Sequence, residues 1–170
     1  MARYPQQARH VLPLTRRPPA PAMGLSPDCV GRRFTAPAEI VDAARAAAYG
    51  AALLPSGTPD GQPAPGGPAD HGPLPTFAAA FLLQPVVWQL FQDDSVGLDL
   101  PRLVHGEQSF TCHRPVRFGE RLHPEGVITA VETRRQLDLL TFTVTARDDD
   151  GGAVISGTTL FLIRPRPAGG

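Results

Sequence analysis

The stretch Thr76-Phe77-Ala78-Ala79-Ala80-Phe81-Leu82-Leu83-Gln84-Pro85-Val86-Val87-Trp88-Gln89-Leu90-Phe91 decides the fold. Wound as a helix it is apolar almost all round, and such a helix has to be buried on several sides. Pro85 is expected to break or kink it near the middle, and Asp93-Asp94 with Gly97 to close it. The chain after it reads as strands. Leu103–His113, Arg121–Thr133, Gln136–Arg147 and Ala153–Arg164 are rich in Val, Ile, Thr, Leu and Phe, with period-two stretches. Asp148-Asp149-Asp150-Gly151-Gly152 makes a hairpin turn, and Arg134-Arg135 another tight reversal. The last strand has little polar face, which places it inside the sheet. One buried helix followed by antiparallel strands gives an α+β domain, a sheet wrapped around a central helix.

Upstream, Val30–Phe34 is strand-like, and Pro37 stands where a first helical residue tolerates proline. Ile40, Ala44, Ala47, Ala48 and Ala51 recur at helical spacing, predicting an amphipathic helix over about 37–52 with an alanine contact face. Residues 55–75 form a loop rich in Pro and Gly, long enough to be either functional or disordered. Residues 1–28 hold no acid before Asp28 and many prolines, so an extended arm is expected there, with Met23 a possible alternative start. The expected organisation is an arm over 1–28, one domain over 29–165 and a tail over 166–170.

Composition narrows the function classes. The 170 residues suit a single core. The formal net charge is zero, which removes the global electrostatic case for nucleic acid or an anionic membrane. All sixteen basic residues are Arg, read here as coding bias rather than phosphate recognition. No apolar run approaches the roughly 20 residues of a membrane span. Cys29 and Cys112 stand far apart without metal-ligand spacing. No secretory signal is evident, so free thiols in a reducing cytoplasm are expected, with no metal.

Three local motifs carry a family resemblance. Pro73-Leu74-Pro75-Thr76-Phe77 resembles the lead-in to the central helix of MaoC-like dehydratase N-terminal domains. Val104-His105-Gly106-Glu107-Gln108-Ser109-Phe110-Thr111-Cys112-His113-Arg114-Pro115 resembles that family's strand and turn. Val116-Arg117-Phe118-Gly119-Glu120-Arg121-Leu122 is similar to the hairpin that follows. The resemblance covers roughly 30–164 and implies a hot-dog fold. It also implies reversible removal of water from a 3-hydroxyacyl chain thioesterified to coenzyme A or to an acyl carrier protein. Such chemistry needs a base for the α-proton, an acid for the leaving hydroxyl, and donors aimed at the thioester oxygen. No cofactor is implied beyond the phosphopantetheine that carries the substrate.

In active relatives the acid/base pair stands in an Asp-x-Asn-Pro-x-His loop before the central helix. This sequence departs from that pattern. Asp60, Asp70 and His71 are the candidates within 57–71, Pro65 lies five residues after Asp60, and no Asn-Pro pair occurs. Adjacent Asp70 and His71 splay apart on an extended chain. The arrangement resembles the non-catalytic subunits of heteromeric 3-hydroxyacyl-carrier-protein dehydratases, which implies a catalytic hot-dog partner, an acyl carrier protein or acyl-CoA, and a dimer or higher oligomer.

The remaining site candidates have two readings each. By strict alternation His105 shares a strand face with Glu107, Ser109, Thr111 and His113, either lining the substrate channel or held by a neighbour. Gln108 falls on the other face with Gly106, Phe110 and Cys112, and its amide needs a partner, expected in the loop before the central helix. Thr76, Phe77 and Phe81 are core residues or acyl-tunnel walls. Arg114 and Arg117 either end the strand and turn the chain or reach a carrier or coenzyme A phosphate. Trp88 is expected in packing or subunit contact. The rival functions are a hot-dog thioesterase using Asp60 or Asp70, a self-sufficient homodimeric dehydratase or enoyl hydratase, and an acyl-binding protein without catalysis.

Overall fold

The computed structural model describes residues 25–53, 73, 76–77 and 84–164. Six strands are present among them: β1 Arg33–Thr35, β2 Glu39–Ile40, β3 Leu103–Cys112, β4 Arg121–Arg134, β5 Leu137–Arg147 and β6 Ala153–Ile163. Helix α1 spans Ala43–Leu53 and helix α2 spans Gln84–Gln92. The sheet runs β1-β4-β5-β6-β3, antiparallel throughout, with β2 paired to β4. Strand β6 lies between β5 and β3, the interior place its apolar sequence demands.

One face of the sheet is apolar by period two. Ile128 of β4, Leu140, Phe142 and Val144 of β5, and Phe161 and Ile163 of β6 pack with Val86 and Leu90 of α2. Each such side chain, fully buried, contributes about 1.5–3 kcal/mol. A second cluster gathers Val41, Ala46, Phe77, Leu122, Ala146, Val154 and Ile155. Phe110 of β3 packs against both clusters and joins them. The helix sits close on the sheet because Gly126 has no side chain. A Cβ there would lie 2.7 Å from Val86 Cγ1 and 2.3 Å from Phe142 Cζ.

Three local features differ from the sequence reading, each for an identifiable reason. The first helix starts at Ala43, not Pro37. Glu39 and Ile40 pair instead with Leu122 and Arg121, and the Asp42 carboxylate accepts from the Arg45 backbone N–H at 2.7 Å, the geometry of an N-cap. Its buried face is Ala46 and Gly50, whereas Ala44, Ala47, Ala48 and Ala51 are exposed and Ile40 is 57% exposed. Val30 follows a 3-10 turn over Pro27–Cys29, so the first strand begins later, at Arg33. Pro85 is the second described residue of α2, and the expected kink falls where the residues before it, 78–83, lie outside the described residues.

The turns follow their chemistry. Asp93 caps a 3-10 turn over Asp94–Val96, and Gly97 ends it at φ 76°. Arg135 and Gln136 both take positive φ, 50° and 68°, as a two-residue hairpin between β4 and β5 requires. Gly151, at φ 82°, turns β5 into β6. Among the described residues no helix is long and apolar enough to cross a membrane. The substitution Gly126→Ala is expected to lower stability by about 1–3 kcal/mol, because Val86 and Phe142 have no room to retreat. A denaturant melt that matches the parent chain would contradict this packing.

Candidate functional site

Strand β3 is the last in the sheet, paired to β6 on one side only among the described residues. Its register carries one irregularity. His105 faces Phe161 and Glu107 faces Leu160, which leaves Gly106 as an extra residue in a β-bulge. A Cβ on Gly106 would fall 2.0 Å from Leu162 Cδ1, so a larger residue there would have to turn the Leu162 side chain aside. The extra residue reverses the alternation. His105, Gln108, Phe110 and Cys112 pair with Phe161, Thr159, Gly157 and Ile155, and all four share the side of the sheet that faces α2. Glu107, Ser109 and Thr111 pair with Leu160, Thr158 and Ser156 on the outer side. The expected grouping of His105 with Glu107, Ser109 and Thr111 is therefore corrected: strict period two does not survive a bulge.

Each residue of this row is held differently. The His105 ring lies 5.6 Å from that of Phe161, and Phe161 meets Phe91 of α2 edge-on at 5.4 Å. The Gln108 amide is fixed from β6. Thr159 Oγ1 donates to Gln108 Oε1 at 2.6 Å, and Gln108 Nε2 donates to the Thr158 carbonyl at 3.1 Å and the Ser109 carbonyl at 3.2 Å. Thr159 is 1% exposed, so Gln108 satisfies a hydroxyl in the core. The residue directly opposite in the ladder thus holds the amide, and the loop before the central helix, where a partner was expected, lies outside the described residues save for Pro73. Phe110 lies across Gly157, where a Cβ would meet its Cδ1 at 2.7 Å. His105 and Cys112 are exposed at the open margin of the sheet.

Phe77 is buried in the second cluster, edge-on to Tyr49 at 5.7 Å, and Tyr49 Oη donates to the exposed Thr76's carbonyl at 3.2 Å. Phe77 thus takes the core position open to it from the sequence. Asp60, Asp70, His71 and Phe81 lie outside the described residues. Cys29 is buried, which pushes its thiol pKa up against the pull of Arg32. Among the described residues no group of three His, Cys, Asp or Glu side chains could hold a metal ion.

Arg114 and Arg117 stand at the far end of β3, on an open groove of about 610 Å³ lined by Ile40, Arg121, Glu120 and Asp148–150 among others. Arg114 bridges two carboxylates, Glu120 Oε2 at 2.9 Å and Asp148 Oδ2 at 3.0 Å, and so ties the turn after β3 to the turn after β5. Glu120 Oε1 also accepts from the Arg117 backbone N–H at 2.9 Å. Asp149 Oδ1 accepts from Arg121 Nε at 2.9 Å and lies 2.7 Å from His123 Nε2. Three guanidiniums thus face four carboxylates around the groove. A net basic surface is not built there. Arg117 is the arginine of this groove whose guanidinium is not drawn into these ion pairs.

The sequence reading missed Thr159 and Phe161, whose places become visible only through the β3–β6 register. Thr159→Val and Gln108→Leu are each expected to cost about 1–3 kcal/mol, since each leaves a partner unsatisfied. The double variant should cost less than the sum, measured as a double-mutant cycle by urea unfolding. Strict additivity would mean that the two groups do not interact. The carboxyls of Asp148 and Asp149 are held below the usual range, chiefly by hydrogen bonds from Arg114 and Arg121 respectively. A depressed folded-state pKa stabilises above the unfolded value and is lost as pH falls through the folded one. Stability should therefore drop below about pH 4, and Asp148→Asn should flatten that acid limb.

A family model described as the FAS1-like dehydratase domain region matches residues 73–156. The chain is 33% identical over 103 residues to a UPF0336 protein of Streptomyces avermitilis, covering 61% of this chain and 68% of that one. It is 33% identical over 90 residues to a UPF0336 protein of Streptomyces coelicolor, covering 53% of this chain and 59% of that one. The match therefore spans about three fifths to two thirds of these relatives' length. Among solved structures, the C-terminally truncated HadBC (3R)-hydroxyacyl-ACP dehydratase complex of Mycobacterium tuberculosis superposes with a TM-score of 0.62 at 24% identity, covering 79% of this chain and 97% of that one. The antiparallel sheet closed over α2, the matched region and these relatives agree: the chain belongs to the UPF0336 family and has the hot-dog fold of the MaoC-like dehydratases.

Proposed function

We propose that the chain is one subunit of a two-chain dehydratase that removes water from a 3-hydroxyacyl thioester, carried on an acyl carrier protein or coenzyme A. The observation that carries this reading is the position of the helix-facing row His105, Gln108, Phe110 and Cys112. It runs along the open edge of the sheet, so any trough it lines ends at the boundary of the protomer. The sequence supplies the complementary point, since it contains no Asp-x-Asn-Pro-x-His loop.

In the proposed reaction the partner's base takes the α-proton and its acid protonates the departing 3-hydroxyl, so an enoyl thioester and water leave together. This chain contributes the wall. The half-buried Phe91 and Phe110 offer apolar surface for the acyl chain, and Gln108, locked by Thr159, keeps the edge strand in the register that presents His105. Arg117 is the groove residue suited to a carrier phosphate, because Arg114 already neutralises two carboxylates. Besides the two titrating groups and this wall, the step needs donors aimed at the thioester oxygen.

Purified alone and given a 3-hydroxyacyl thioester, the chain should turn over little or none. Mixing with a hot-dog chain of the same genome that carries the Asp-x-Asn-Pro-x-His loop should restore enoyl product, read at its ultraviolet absorbance. Full turnover by the isolated chain would replace this reading with a self-sufficient dehydratase. Thiol release from acyl-CoA without enoyl product would replace it with a thioesterase.

A further inference from the structure

We infer that the outer face of the sheet, the side turned away from α2, is the surface on which a second copy of this chain packs back to back. On β5 the outward positions are Leu139, Thr141, Thr143 and Thr145. Beside them on β6 stand Leu162, Leu160, Thr158 and Ser156. All are half-buried by their neighbours, and none is charged. A sheet face left to water turns polar side chains outward, yet these two central strands present leucines, threonines and one serine. Val104 on β3, 37% exposed, extends the apolar corner opposite Leu162. Uncharged side chains of this size can interdigitate when two sheets meet face to face. By strand and residue spacing the face measures about 24 Å by 27 Å, of the order of the roughly 800 Å² each partner gives to a stable interface.

Charge says which partner fits. At the margins of this face Glu125 is held by Arg147 and Glu132 by Arg134. That leaves Arg33 on β1 and Glu107 on β3, both exposed and neither in an ion pair among the described residues. They have opposite sign and stand on opposite sides. In the order β1-β4-β5-β6-β3 each lies two strands from β5. Arg33 pairs with Val127, in the row of Thr143 and Thr158, and Glu107 stands one row further on, beside Leu160. A twofold axis running along β5, in the plane of the interface, lays β1 of one copy over β3 of the other. Arg33 then meets the other copy's Glu107, and symmetry makes the pair twice. Across sheets about 10 Å apart and one row out of step, their Cα atoms lie about 12 Å apart, within the joint reach of the two extended side chains. An axis running across the strands would lay each margin on its own like, arginine towards arginine. The open edge of β3 stays free in this arrangement, so it goes beyond the dehydratase reading and does not rest on it.

The test uses the full chain alone, followed by sedimentation velocity. The parent should run with a doubled mass at micromolar concentration. Arg33→Glu and Glu107→Arg each bring like charges together at two places, and each should weaken association by about tenfold or more while keeping the parent's circular dichroism. Mixing the two single variants should restore the doubled mass, because each then faces the charge opposite to its own. The double variant should dimerise again by itself. A parent chain that stays monomeric up to about 100 μM would overturn the proposal. So would a dimer indifferent to Arg33→Glu, which would place the contact on another surface, the open edge of β3 foremost. Loss of association in both single variants without recovery on mixing would overturn the back-to-back arrangement argued from their pairing. None of these outcomes involves substrate or a second kind of chain, so each leaves the dehydratase reading to its own test.

Discussion

The depth at which α2 sits in the sheet governs the rest of the molecule. Val86 and Phe142 close over Gly126, leaving no space for a methyl group between helix and strand. That contact brings the helix against the centre of β4 and β5 and commits Val86 and Leu90 to the core. With the helix seated there, its remaining apolar flank meets β6 through Phe91 and Phe161 and stops short of covering β3. The exposure of His105 and Cys112 in the helix-facing row of β3 is thus a consequence of where the helix is lodged, not a failure of the sheet to fold.

Polar groups then decide how rigid that row is. Half-buried Gln108 and buried Thr159 form a pair across the β3–β6 ladder, and three of the hydrogen-bonding positions of the amide are used within the protein. An amide so committed acts as a fixed strut, with one acceptor position of its oxygen left over. At the far end of β3 the ion pairs of Arg114 do similar work in water, where each is individually weak and the shared geometry matters more than the Coulomb energy. Two of the residues with the most suggestive chemistry in the sequence, Gln108 and Arg114, therefore serve architecture. His105 and Arg117 are the ones left exposed.

Much of the fold was legible in the residues because burial on one side of a sheet imposes period two. The four long strands lie within a residue or two of their expected limits, and the placement of β6 inside the sheet followed from its lack of a polar face. Helix boundaries were less legible. Alanine has high helix propensity whichever way it faces, so the run around α1 named a helix but not its buried side. The Asp42 cap and the pairing of Glu39 and Ile40 with β4 placed its start. The candidate site was readable as residues and not as an arrangement. A bulge inserts no distinctive residue type beyond a glycine, and Gly106 resembles any other glycine until Leu162 is seen beside it.

The sequence by itself determined that an apolar helix would be wrapped by antiparallel strands, and that the loop before that helix lacks the spacing of an acid/base pair. Both are properties of local composition and order. Tertiary structure alone decided which side of β3 carries His105, which neighbour holds Gln108, and that Arg114 answers two carboxylates from different turns. Those outcomes depend on register between strands distant in the chain, where a single extra residue exchanges the two faces of everything beyond it.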